Sequence, residues 1–189
     1  MRHSICRPAK TAAILAVLIA VVSACATASG SGSESLTESS GVTFAGPNYQ
    51  ISGPTGWTAV RGASQQNVIF APGDPNTSNV LEVVDAVPVA INNVSPEVCW
   101  LMYERTILPS RFPNYQGLKS TKTTLGGRSA ICVLGTSQQD PNSTKYTLSV
   151  VCEMRNCQLY VIACACPDTQ YDSLQPTFEK SVSSFRFTN

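Results

Sequence analysis

The sequence predicts an α+β fold: an antiparallel β-sheet flanked by two helices, one mid-chain and one near the C-terminus. Two observations carry it. Short apolar or alternating runs recur from Tyr49 onward, separated by turns rich in Gly, Pro and Asn, and such short connections favour antiparallel pairing. Two other segments carry apolar residues at three- and four-residue spacing, the period of a helix with one buried face.

Strands are expected at 49–52, 58–61, 67–71, 80–89, 120–125, 128–135, 146–154 and 158–164, with a short last run at 185–187. Gly126-Gly127 joins two of them and predicts a tight hairpin turn at positive φ. Asp74-Pro75-Asn76 and Asp140-Pro141-Asn142 hold one acid each, so they read as turns rather than calcium loops. Ser95-Pro96-Glu97 supplies an N-cap, a first-position proline and a first-turn acid, and opens a helix over 96–108. Val98, Leu101, Arg105 and Leu108 share one of its stripes; Cys99, Met102, Tyr103 and Thr106 share another. The second helix spans 171–183, with Tyr171, Leu174, Phe178 and Val182 on its buried face. Pro176 fits only a first turn, so the start is expected nearer Leu174.

The N-terminus reads as an address. Arg2, Arg7 and Lys10 precede an apolar run from Ala12 to Val22, the layout of a secretory signal and too short for a membrane span. Val22-Ser23-Ala24-Cys25 then resembles the lipobox of bacterial lipoproteins. The resemblance implies a signal peptide at 1–24 and diacylglyceryl attachment to Cys25. Two or three acyl chains hold a protein on a membrane where one is marginal. Residue 26 is Ala, not the Asp that resembles an inner-membrane retention signal. The expected location is therefore the bacterial cell envelope, extracytoplasmic: the outer membrane if the source is Gram-negative, and the outer face of the membrane if it has a single one. Residues 25–43 are small and polar and read as a lipidated tether, leaving one domain at 44–189.

The only histidine is His3, which leaves with the signal peptide. A Ser-His-Asp triad, a Cys-His pair and a histidine-ligated metal are thereby excluded within the mature chain. Three of the thirteen bases and none of the twelve acids precede Cys25, so ten bases face twelve acids and the mature net charge is −2. Lys119, Lys122 and Arg128 are scattered, and nucleic acid has no electrostatic footprint here. Glu82 and Asp85 are the closest acids on one strand, but their spacing sends them to opposite faces. Glu97 and Glu104 read as surface charge on a helix.

Three elements resemble PsbP/Mog1-like domains: Tyr49-x-Ile51-x-x-Pro54-x-x-Trp57 at the start, the Leu125-Gly126-Gly127 hairpin entering an apolar strand, and a final helix running into Ser184-Phe185-x-Phe187. That family includes photosystem PsbP proteins, Mog1, and DcrB-type and LpqN-type bacterial lipoproteins. The resemblance covers about 44–189. It implies an α/β/α sandwich and a binding or assembly role, and it carries over no active-site residues.

Cys99, Cys132, Cys152, Cys157, Cys164 and Cys166 lie outside that pattern. An even count in an oxidising compartment predicts disulfides. Strand parity places Cys152 and Cys157 on one face of a hairpin, and Cys164 and Cys166 on the other. The expected bridges are Cys152–Cys157, with Cys99 and Cys132 reaching Cys164 and Cys166 in an order left open. A four-thiolate metal site fits the spacing poorly, since the gaps from Cys152 to Cys166 are four, six and one. The expected function is a non-catalytic, lipid-anchored binding or assembly module, with no cofactor, whose partner is another envelope protein or a small ligand. The alternative is a thiol-redox or metal-handling lipoprotein using Cys164 and Cys166.

Overall fold

The computed structural model describes residues 41–62, 66–91 and 94–188. In chain order the elements are β1 (Thr43–Ala45), β2 (Tyr49–Ser52), β3 (Thr58–Arg61), β4 (Val68–Ala71) and β5 (Leu81–Pro88), then helices α1 (Pro96–Thr106) and α2 (Leu108–Arg111). β6 (Gln116–Leu125), β7 (Arg128–Ser137), β8 (Tyr146–Arg155) and β9 (Gln158–Pro167) follow, then α3 (Tyr171–Ser184) and β10 (Arg186–Phe187). A seven-stranded sheet runs β3-β4-β5-β9-β8-β7-β6, and a small sheet runs β1-β2-β10. Every pairing is antiparallel, as the short turns require.

Two hairpins set the register of the outer strands. Gly126-Gly127 and Asn156-Cys157 both adopt positive φ at each residue, the two-residue turn that matches strand twist. Gly126 has a second constraint, because a Cβ there would lie 2.7 Å from the Phe187 ring. The Asp74 and Asp140 segments are turns: each aspartate carboxylate accepts the backbone N–H two residues on, at 2.9 Å.

Period-two alternation gives the large sheet two buried faces. On one, Tyr49, Ile51, Val84, Val151, Tyr160, Ile162, Phe178 and Phe185 form a core beneath α3 and the small sheet. On the other, Cys99, Trp100, Tyr103, Leu108, Val150, Cys152 and Val161 form a core beneath α1 and α2. Each large apolar side chain so buried stabilises by roughly 1.5–3 kcal/mol.

The structure corrects three expectations and decides between the two stripes of the first helix. The described residues hold three α-helices and two sheets, not two helices and one sheet, and β1 adds a strand before Tyr49. The first helix stops at Thr106 because the Pro109 ring cannot follow an unbroken turn; α2 restarts with that proline in its first turn. Its Ser95 cap is as expected, accepting from the Val98 N–H at 3.4 Å. Its buried stripe is Cys99, Trp100 and Tyr103, whereas Val98 and Leu101 are 40% and 43% exposed. Finally, α3 begins at Tyr171 with Pro176 inside it. A 3-10 turn at Asp168–Gln170 starts it early, and the Asp172 carbonyl that loses its partner to Pro176 belongs to an exposed residue.

Candidate functional site

Among the described residues, β6 ends the large sheet and pairs only with β7. Its sequence has no apolar face, and all of its residues but Thr123 and Leu125 are exposed. α3 packs on β2 and β9 and stops short of the outer strands. The surface between α3 and β6–β8 is therefore an open groove of about 570 Å³.

Register decides what faces it. Lys119, Thr121 and Thr123 pair with Leu134, Cys132 and Ala130, so all six point to the α3 side. Lys122 lies one residue out of phase, and its Nζ is 3.9 Å from Glu97 Oε1 on α1. The floor holds Cys132, whose sulfur is 3.6 Å from Ser149 Oγ on β8. The α3 wall presents Tyr171, Gln175, Phe178 and Val182. Burial pushes the Tyr171 phenol up, against a hydrogen bond to Ser149 that lowers it. Gln175 Nε2 donates to Glu179 Oε1 at 2.7 Å, which occupies the one carboxylate of the lining. Arg186 closes one end and donates from Nη1 to the carbonyls of Ser183 and Phe185, each at 2.7 Å. Such a lining offers apolar contact, hydroxyls and two or three cations. It suits binding, since the Cys132 thiol has a serine hydroxyl rather than a base beside it.

The acids separate as their spacing requires. Glu82 is fully buried on the α3 side, where its Oε1 lies 2.5 Å from Ser181 Oγ. Asp85 is buried on the other side and is ion-paired with Arg111 of α2. They cannot act on one substrate. Glu97 is exposed and Glu104 half-buried on α1.

The expected bridges do not fit this geometry. The Asn156-Cys157 turn is a two-residue turn, and Cys152 stands opposite Val161, three residues back along β8. About 10 Å of strand therefore separates Cys152 from the turn, beyond the Cα span of a disulfide. Cys99 lies in the α1-side core, while Cys164 and Cys166 lie in the α3-side core, with the sheet between them. Cys132 shares a face with Cys164 and Cys166 but sits on β7, with β8 intervening before β9, again about 10 Å away. No bridge joins Cys99, Cys132, Cys152, Cys164 or Cys166 in this structure. Cys157 is exposed at its turn. Cys25 lies outside the described residues, as does His3.

The alternative built on Cys164 and Cys166 also loses ground. Both are buried to 1% exposure or less. Burial, then Glu82, pushes the Cys164 thiol well up, and burial raises Cys166 to about 11. A thiol that is neither exposed nor ionised is a poor nucleophile. Cys152 points away from both, so the four thiols of 152–166 cannot surround one ion. Sequence reasoning did not find the groove. Its one trace was the polar alternation of Lys-Ser-Thr-Lys-Thr-Thr at 119–124, which marks a strand with neither face buried.

No protein-family model and no curated relative matches the chain. Solved structures do. The cyanobacterial PsbP protein CyanoP from Synechocystis aligns at TM-score 0.60 and 14% identity, covering 86% of this chain and 99% of its own. The Ran-binding protein Mog1p of Saccharomyces cerevisiae aligns at TM-score 0.55 and 11% identity, covering 82% and 96%. LpqN of Mycobacterium tuberculosis, described as involved in cell envelope biogenesis, aligns at TM-score 0.49 and 16% identity, covering 84% and 91%. The chain therefore has the PsbP/Mog1-like fold, a mixed α/β architecture with antiparallel sheets.

Proposed function

We propose that the chain is a lipid-anchored lipoprotein of the bacterial cell envelope that works as a non-catalytic binding or assembly module, using the groove between α3 and β6–β8. The groove carries this reading: it is open, half apolar, and holds no thiol or hydroxyl beside a base. The lipobox-like Val22-Ser23-Ala24-Cys25 supports the anchor. The fold shared with the Ran-binding Mog1p is in keeping with a protein-binding role. To test it, a photo-crosslinking residue is placed at Thr121 in the groove and at Thr77 on a remote turn of the full chain, and adducts are read in native envelopes. A defined adduct from Thr121 alone, lost in Val182→Trp, is the expected result. Equal labelling at both positions sinks the reading. Labelled palmitate incorporated by the wild type and not by Cys25→Ala tests the anchor.

A disulfide staple belongs to this proposal in corrected form, between Cys99 and Cys152. Both are buried to 1% or less in the same core, on α1 and on the strand α1 packs against. Exchange with a low-molecular-weight disulfide transfers the two electrons and two protons of the thiols to that oxidant. Alkylation and peptide mapping of the oxidised chain is expected to yield a linked Cys99–Cys152 pair; two alkylated peptides in its place rule the staple out.

A further inference from the structure

Glu82 has one hydroxyl partner, one thiol at 4.0 Å and no charge partner among the described residues. It sits on β5 at zero exposure, beneath α3 and beside β2. Ser181 Oγ of α3 lies 2.5 Å from Glu82 Oε1 and 3.0 Å from the Ser52 carbonyl of β2. Ser184 Oγ lies 2.6 Å from the Ser181 carbonyl and 3.2 Å from the Ser52 carbonyl, and accepts the Ser52 N–H at 2.8 Å. These are four oxygen–oxygen contacts, and carbonyl oxygens bring no proton to any of them.

The protons can be counted. With Glu82 ionised, the two serine hydroxyls supply two protons for four contacts, and both contacts to the Ser52 carbonyl, at 3.0 and 3.2 Å, are left without one. With Glu82 neutral there are three. Glu82 donates to Ser181, Ser181 to the Ser52 carbonyl, and Ser184 to the Ser181 carbonyl. Only the 3.2 Å contact, the longest, is left without a proton.

We propose that Glu82 is a protonated acid that latches α3 onto β2 and β5, and that its ionisation loosens α3 and with it one wall of the groove. The surroundings make the anion costly where it stands. From β9 the facing group is the Cys164 thiol, 4.0 Å from Oε2; from β4 it is the apolar Phe70, opposite in register; α3 and β2 present the serine groups. Burial pushes the Glu82 carboxyl up to about 8, with the Ser181 hydrogen bond pulling the other way. No cation contributes to it among the described residues. An uncompensated buried anion gains hydration only if the helix above it lifts.

The latch stands independently of what fills the groove. Its test uses the full chain and two readouts. Carboxyl-carbon NMR, assigned by loss of the signal in Glu82→Gln, is expected to show Glu82 titrating with a midpoint near 8. Trp57 contacts Phe178 of α3 edge-on at 6.0 Å, so its acrylamide quenching in a Trp100→Phe background reports α3. Quenching is expected to rise by about two-fold as pH passes that midpoint, and to stay level in Glu82→Gln. A carboxyl midpoint in the ordinary range, near about 4.3, overturns the proposal. So does quenching that stays flat while the carboxyl titrates. If Glu82→Gln fails to fold, Ser181→Ala serves in its place, since losing the acceptor of the Glu82 proton must shift the midpoint.

Discussion

β5 buries an acid on each face of the large sheet, three residues apart, and the two are held in opposite ways. Under α3, Glu82 is neutral and bound by one hydroxyl and a thiol. Under α1 and α2, Asp85 is paired with the Arg111 guanidinium. The faces also differ in cover. The α1 side is sealed over β7 and β8 by Trp100 and Tyr103, with Trp100 against Tyr115. On the α3 side, an aromatic cluster of Tyr49, Tyr160, Phe185 and Phe187 is tied up at one end, and the outer strands stay open. A helix covers only about 10 Å of sheet width, roughly two strands. A seven-stranded sheet with one long helix per face must expose something, and the choice of what it exposes creates the groove.

The largest effect should come from breaking the α3-side cluster. Phe185 is fully buried, stacks on Tyr49 at 5.4 Å and meets Phe187 edge-on at 5.0 Å. Phe185→Ala should lower unfolding free energy by about 3–5 kcal/mol in denaturant titration. A loss below about 1 kcal/mol would mean that this end of the core is not packed as described.

On the opposite face, Arg111→Ala leaves Asp85 buried without its cation and should cost about 3 kcal/mol. The double variant Asp85→Asn with Arg111→Met should recover most of that loss. No recovery would mean that Arg111 acts through packing rather than charge.

The α3 face also carries a pH slope of its own. Glu82 holds its proton more tightly folded than unfolded, so its stabilisation is complete below pH 4.5, falls as pH rises, and is gone above about 8. The slope within that window is about 1.4 kcal/mol per pH unit. Glu82→Gln should flatten the melting temperature across the window and make the variant the more stable form at its alkaline end. Identical pH profiles for the two proteins would remove the asymmetry between the faces.

The smallest effect is expected at the sheet edge. Lys122 and Glu97 are exposed, and pairs of this kind contribute little. Lys122→Ala should leave the unfolding midpoint unchanged, while any salt-sensitive shift would show α1 to be tethered to β6.

Much of the fold was readable from local chemistry. Strand runs, the Ser95 cap and the Gly126-Gly127 turn each depend on residues a few positions apart. The opposite facing of Glu82 and Asp85 is likewise decided by period two alone. The choice between the two helix stripes stayed open because the two stripes of α1 are nearly equal in apolar content. Cys99, Trp100 and Tyr103 are buried because the sheet lies on their side, a fact that no local pattern contains. The cysteine pairs failed for a similar reason. Parity fixes a face, but whether two thiols meet depends on turn length and on how many strands intervene.

By itself, the sequence determined the antiparallel strands and the Gly126-Gly127 turn, since each is set by neighbours in the chain. The tertiary structure alone decided the groove, the neutral state of Glu82 and the meeting of Cys99 with the Cys152 core. Each joins residues far apart in sequence, so its energy exists only once the sheet has brought them together.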